Sequence, residues 1–158
     1  MKNLKSYRDY IEKTEEKIHE ITPEWEAKLG KGKILIPKAT DVEELIRKTE
    51  SGDLLTNDTI REHLAAQKGV QVTAAIPTGI NLKFIALTSE FEQSEGNRHT
   101  AYWRVLKPDG KINEKFPGGF EKQIKYLEAE GHEIEMVGKR KKVPRVRDFE
   151  SKLLILNV

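Results

Sequence analysis

The chain has 158 residues, with 28 Lys and Arg against 26 Asp and Glu, a formal net charge of +2 and no cysteine. Its length suits one buried core without covalent staples, and the absence of cysteine excludes a disulfide framework, a thiolate zinc site and a cysteine nucleophile. A net charge this close to zero gives no bulk electrostatic footprint for nucleic acid, so any such footprint must come from local clustering.

Residues 2–21 predict a helix, with Leu4, Tyr7, Ile11, Ile18 and Ile21 spaced as a partial apolar stripe. Thr22-Pro23 restarts the chain as N-cap and first helical residue, Trp25 and Leu29 face inward, and Gly30 closes the turn. Residues 1–32 thus read as an N-terminal helical extension. The charged start Met1-Lys2-Asn3-Leu4-Lys5 is not followed by an apolar signal region, and no stretch has the length of a membrane span. A cytoplasmic location is the resulting expectation.

Ile34-Leu35-Ile36 predicts a strand or a buried loop. Thr40 and Glu43 have capping-box spacing, and Val42, Leu45 and Ile46 give a short amphipathic helix. Ser51-Gly52-Asp53 is a turn, and Thr56 caps a helix that carries Ile60 and Leu64 and ends at Gly69. Pro77 begins a third helix with Ile80, Phe84, Leu87 and Phe91 on one face. Two helices joined by a brief turn form either a helix-turn-helix or plain core scaffolding.

Ser94 to Arg98 is a polar loop. Ala101 to Lys107 predicts a strand, Pro108-Asp109-Gly110 a turn, and Lys111-Ile112-Asn113 a return strand. Phe116-Pro117-Gly118-Gly119 opens a helix with Phe120, Ile124 and Leu127 inside and Gly131 at its end. His132 to Val137 alternates as a strand. From Gly138 to Arg147 the chain carries Lys139, Arg140, Lys141, Lys142, Arg145 and Arg147 and no acid. Residues 148–156 close the chain as a helix or strand, with Asp148 as a cap.

The run Ala101-Tyr102-Trp103-Arg104-Val105, then Phe116-Pro117-Gly118-Gly119, then a helix ending at Glu130-Gly131 resembles the DNA-binding domain of the alkylguanine-DNA alkyltransferases, also called methylated-DNA-protein cysteine methyltransferases. That family has Pro-Cys-His-Arg-Val, a glycine-containing wing, Tyr-Ser-Gly-Gly and a helix ending in Glu-Gly. The resemblance spans about residues 34–131 and is most specific over 101–131. It implies an α+β, mostly helical fold: a winged helix-turn-helix-like domain over 33–137 with a short β-hairpin wing, the extension 1–32 before it and a basic closing segment 138–158 after it.

The chain is more similar to the alkyltransferase-like branch, in which the reactive cysteine is replaced. Tyr102 stands at the cysteine position and Trp103 at the histidine position, while Arg104 and Glu130 match. A phenol with a reference pKa of about 10 is a poor nucleophile at neutral pH, and tryptophan has no acceptor nitrogen for a proton relay. Alkyl transfer by the family mechanism is thereby excluded, and no cofactor is implied. The histidines His19, His63, His99 and His132 have no metal-ligand spacing.

The resemblance implies an apolar pocket rim of Tyr102, Trp103, Phe116 and Pro117, and a structural ion pair between Arg104 and Glu130. It places Thr56 and Asn57 at the base-turning position, and Thr78 and Gly79 on the third helix, with Ala75 where the family has its intercalating arginine. Lys107, Lys111 and Lys115 line the wing, and Lys139 and Arg140 are further candidate phosphate contacts; the plain alternatives are edge-guarding lysines and a solvated terminal segment. The function implied is a non-catalytic protein that binds double-stranded DNA and recognises alkylated guanine for repair proteins. The alternative is a degenerate scaffold of the same fold that binds a protein or small ligand.

Overall fold

The computed structural model describes residues 4–96 and 99–156, with side chains from Tyr7 onward. The expectations for the Leu4 side chain and for Asn97 and Arg98 lie outside what is described. In chain order the elements are α1 (Leu4–Lys13), β1 (Lys17–Glu20), α2 (Pro23–Leu29), β2 (Lys33–Ile36), α3 (Ala39–Arg47), β3 (Leu55–Thr56), α4 (Asn57–Lys68) and β4 (Val72–Thr73). Then come α5 (Ala75–Ser94), β5 (Val105–Leu106), α6 (Gly119–Ala129), β6 (Ile134–Val137) and β7 (Val143–Val146), with 3₁₀ turns at Tyr102–Arg104 and Phe149–Lys152. The fold is α+β, and among the described residues none of its helices is long and apolar enough to cross a membrane.

The helix predicted over 2–21 ends early. Thr14 donates its hydroxyl to the Ile11 carbonyl at 2.8 Å and accepts the backbone N–H of Ala39 at 2.8 Å. Beyond it, Lys17–Glu20 pairs antiparallel with β2, Lys17 opposite Ile36 and Glu20 opposite Lys33. β2 is in turn parallel to β4. Pairing with a distant strand has overridden the local helical spacing. α2 starts at Pro23, but it lies on the surface with no buried residue, so Trp25 faces outward, 51% exposed. α3 starts at Ala39 without the capping box predicted at Thr40 and Glu43; Glu43 is instead buried and bonded elsewhere.

Local signals hold well at α4. Thr56 and Thr59 form a reciprocal capping box, and Gly69 ends the helix in the left-handed conformation. α5 begins two residues before Pro77, whose missing N–H falls within the first turn, where no intrahelical partner exists. Its buried face is Thr78, Asn81, Leu82, Ile85, Ala86, Thr88 and Ser89 rather than the predicted line of Ile80, Phe84, Leu87 and Phe91. Backbone carbonyls satisfy three of these polar residues: Thr78 donates to Ala74 at 2.7 Å, Asn81 to Pro37 at 3.0 Å, and Ser89 to Thr100. Phe84 lies under α1, stacked on Tyr10 with ring centroids 3.9 Å apart.

Among the described residues the two arms of the hairpin predicted over 101–113 form no strand ladder with each other, although one bond joins them, Lys107 N–H to the Lys111 carbonyl at 3.0 Å. Tyr102–Arg104 is a 3₁₀ turn, and the two residues of β5 pair parallel with β3, Leu55 opposite Val105. The turn at Pro108–Gly110 is present, with the Gly110 N–H on the Lys107 carbonyl at 2.8 Å. The segment leaving it, however, bonds to β7, through Ile112 N–H to the Pro144 carbonyl at 3.1 Å. The antiparallel hairpin of this part of the chain is β6–β7.

One core cluster takes Ile11 from α1, Leu35 from β2, the inner faces of α3, α4 and α5, Tyr102, Leu127 from α6 and Val146 from β7. Ile11 of the predicted extension and Val146 of the predicted closing segment therefore share the core of 33–137.

Arg8 ties α1 to two other helices. Its guanidinium reaches Glu43 of α3 at 2.8 Å and Glu92 of α5 at 2.9 Å, and Glu43 also accepts the Thr100 hydroxyl at 3.0 Å. Arg8→Ala leaves the buried Glu43 short of its main counter-charge and is expected to lower stability by about 2–4 kcal/mol. Urea unfolding checks this, and combining it with Glu43→Gln should cost less than the sum of the two single changes. Strict additivity would contradict the network.

Candidate functional site

The 3₁₀ turn Tyr102–Arg104 sends three consecutive side chains to two glutamates. Tyr102 is fully buried and donates its hydroxyl to Glu90 of α5 at 2.6 Å. Phe116, Trp103 and Tyr126 surround its ring edge-on, with centroids at 5.2, 5.5 and 6.3 Å. Trp103 stacks on Tyr126 at 4.2 Å and donates its indole N–H to Glu130 Oε2 at 3.0 Å. Arg104 grips Glu130 with two nitrogens, Nε to Oε1 at 2.9 Å and Nη2 to Oε2 at 2.8 Å. Its Nη1 donates to the carbonyl and hydroxyl of Thr49, just past α3, at 2.8 and 3.0 Å.

The predicted pocket rim is thus a closed aromatic cluster. Tyr102, Trp103 and Phe116 are all buried, and Pro117 is half-buried. The physical reason is that Tyr102 and Trp103 each bury a large ring while the polar tip finds a glutamate. Three surface depressions lie elsewhere, beside Tyr10 and Ile80, beside His63 and Leu154, and beside Arg61 and Gln71. Among the described residues no group of three or more His, Asp or Glu is placed to hold a metal.

Both glutamates are held as carboxylates. Burial works to raise the Glu130 carboxyl, but the hydrogen bonds from Arg104 and Trp103 outweigh it and hold the group below its usual value. Burial likewise opposes Glu90, and Lys122, Tyr102 and Tyr126 outweigh it. The phenols move the other way. Burial and then Glu90 raise Tyr102 far above the ordinary phenol range, and Tyr126 is pushed up to about 12, by burial first and then by Glu90. Tyr102 is therefore a neutral hydrogen-bond donor and not a nucleophile. Burial also lowers the His132 imidazole, outweighing the opposing pull of Glu130.

Glu90, Tyr126, Thr49 and Gln123 complete the site and are absent from the sequence reading. Gln123 is fully buried; it donates to the carbonyls of Trp103 at 3.0 Å and Val105 at 3.2 Å and accepts the Asn113 N–H at 3.0 Å. Its signal was present, since it falls on the predicted inner face with Phe120, Ile124 and Leu127. Glu90 had no local signal, because its partners come from other elements.

The candidate DNA contacts fare unevenly. Thr56 and Thr78 are buried, and their hydroxyls serve their own helices, Thr56 accepting the Thr59 N–H at 3.1 Å. Neither hydroxyl is open to a phosphate. Asn57 is the first residue of α4, and its Oδ1 is buried without a hydrogen-bond partner. Gly79 has open space where a Cβ would stand. Lys107 is paired with Glu114 at 2.8 Å and Lys111 with Asp109 at 3.0 Å, while Lys115 is exposed. Lys139 and Arg140 are exposed in the β6–β7 turn.

Because Glu130 sits below its ordinary value of 4.5 in the folded chain, the unfolded chain binds more protons in the window beneath that value. The stability it contributes is complete above about pH 5 and is lost as pH falls through the folded value. Glu130→Gln should cost about 2–4 kcal/mol at neutral pH, and its gap from the wild type should narrow in acid. Urea titrations at about pH 7 and about pH 3.5 measure this; a gap that stays constant would contradict it.

No family model, no curated protein and no solved structure matches the chain.

Proposed function

We propose that this protein is a non-catalytic, alkyltransferase-like DNA-binding protein. The observation that carries the reading is the helix pair α4–α5. Its second helix opens with an exposed, acid-free end: Ile76 is 78% exposed, Ile80 44%, and no acidic residue occurs before Glu90. A helix N-terminus carries partial positive charge and free N–H groups, and this is the end that a helix-turn-helix presents to DNA. The absence of catalysis rests on Tyr102, whose hydroxyl is buried on Glu90 and held neutral.

Recognition of an alkylated guanine is the finer part of the reading. In a closed aromatic cluster it requires Tyr102 and Trp103 to leave their glutamates before a base can enter. The same closure favours the alternative, a scaffold that has kept the fold and now serves a protein or small ligand.

Titrating labelled duplexes with and without one alkylated guanine, at two salt concentrations, separates these readings. Binding that weakens steeply with salt is expected for phosphate contact, and tighter binding to the alkylated duplex supports lesion recognition. Equal affinity for both duplexes keeps DNA binding without lesion recognition. Negligible binding to both at low salt would leave the scaffold reading.

A further inference from the structure

The lysines expected to grip phosphate along 107–115 are largely neutralised where they stand, Lys107 by Glu114 and Lys111 by Asp109. A cluster of cations without ion pairs lies at another place. β6 and β7 pair from Ile134 opposite Val146 to Val137 opposite Val143, leaving Gly138–Lys142 as the turn. Lys139, Arg140, Lys141 and Lys142 are all exposed there. None of the ion pairs among the described residues involves them. The cations of the stem differ: Arg145 pairs with Glu135 at 2.7 Å and Arg147 with Glu133 at 3.2 Å. The basic run visible in the sequence is thus sorted by the hairpin into a neutral stem and a cationic tip.

The stem is well anchored. Val146 is fully buried in the core, and its N–H reaches the Gly110 carbonyl at 3.0 Å. Pro144 is buried, with its carbonyl on Ile112 N–H at 3.1 Å. The tip has a defined shape. Gly138 has φ +123°, and a Cβ on it would run into the Lys141 carbonyl, so the turn folds back on itself in a form that only glycine allows. Four like charges are held close together by this turn, and a polyanion relieves their mutual repulsion. The tip has no aromatic or large aliphatic side chain to enter a lipid surface, whereas a two-stranded ribbon is narrow enough to follow a duplex groove.

We propose that the β6–β7 turn is the phosphate-gripping wing of this protein, with Lys139, Arg140, Lys141 and Lys142 taking the backbone of double-stranded DNA. This rests on the DNA-binding reading above and relocates its electrostatic part to a hairpin outside the segment that carries the family resemblance.

The test compares the full-length wild type with two variants in duplex titrations across a salt series. One variant carries Lys139→Gln, Arg140→Gln, Lys141→Gln and Lys142→Gln; the other carries Lys107→Gln, Lys111→Gln and Lys115→Gln. Circular dichroism and thermal melts confirm that each is folded. Each lost phosphate contact lowers the slope of log affinity against log salt by about 0.9. The tip variant should therefore lose a slope of about 3.6 and bind at least about 100-fold more weakly at low salt, while the 107–115 variant stays near the wild type. A tip variant with the wild-type slope overturns the assignment while leaving DNA binding intact. A wild type that binds no duplex at low salt overturns the DNA-binding reading and the assignment with it. Tighter wild-type binding to phosphatidylserine vesicles than to duplex overturns the choice of partner.

Discussion

A guanidinium and a carboxylate, each nearly nine-tenths buried, meet in a two-pronged pair at Arg104 and Glu130, with side-chain exposures of 12% and 11%. Neither charge can stay in that place alone. The rest of the site follows from how the remaining hydrogen-bonding capacity of the two groups is met. Arg104 also reaches Thr49 at the end of α3, and Glu130 also receives the Trp103 indole and, at 3.4 Å, the Gly52 N–H. The end of α3, the turn after it, the 3₁₀ turn and the end of α6 are thereby joined at one point. A buried pair of this kind adds little net stability against an apolar alternative but is costly to break on one side. Its value is in fixing how these elements sit against each other.

Glu90 is a second centre built on the same logic. Its carboxylate takes Tyr102 at 2.6 Å, Tyr126 at 3.1 Å and Lys122 at 2.6 Å, so that α5 and α6 both hold the 3₁₀ turn. Between the two glutamates the rings of Tyr102, Trp103, Tyr126 and Phe116 fill the space. Tyr102 and Trp103 can be buried because the one polar atom of each has an ionised acceptor. The chemistry follows from this packing. A hydroxyl that keeps its proton and donates it in a hydrogen bond to the Glu90 carboxylate, inside a closed cluster, serves as a structural donor.

Many features of this protein were legible in the sequence because they act over a few residues. The Thr56 cap, the Gly69 stop, the turn at Pro108–Gly110 and the glycine entry to α6 are such features. Others were legible in part. Gln123 stood out of place on an apolar helix face, and the run of cations at 139–147 was plain by count. Which of those cations are neutralised was not visible, because Glu133 and Glu135 oppose Arg147 and Arg145 only once β6 and β7 pair.

The sequence by itself determined what this protein lacks and where its local structure starts and stops. A chain without cysteine has no thiolate, whatever its fold, and helix caps and glycine turns depend on neighbours a few residues away. Only the tertiary structure decided that Lys17–Glu20 is a strand, that Lys111 and Ile112 turn to β7, and that Tyr102 closes the site. Each of these rests on partners distant in sequence. Lys17 lies opposite Ile36, Ile112 bonds to Pro144, and Tyr102 bonds to Glu90 across α5. Such contacts form when packing brings the segments together, and no local spacing of residue types specifies them.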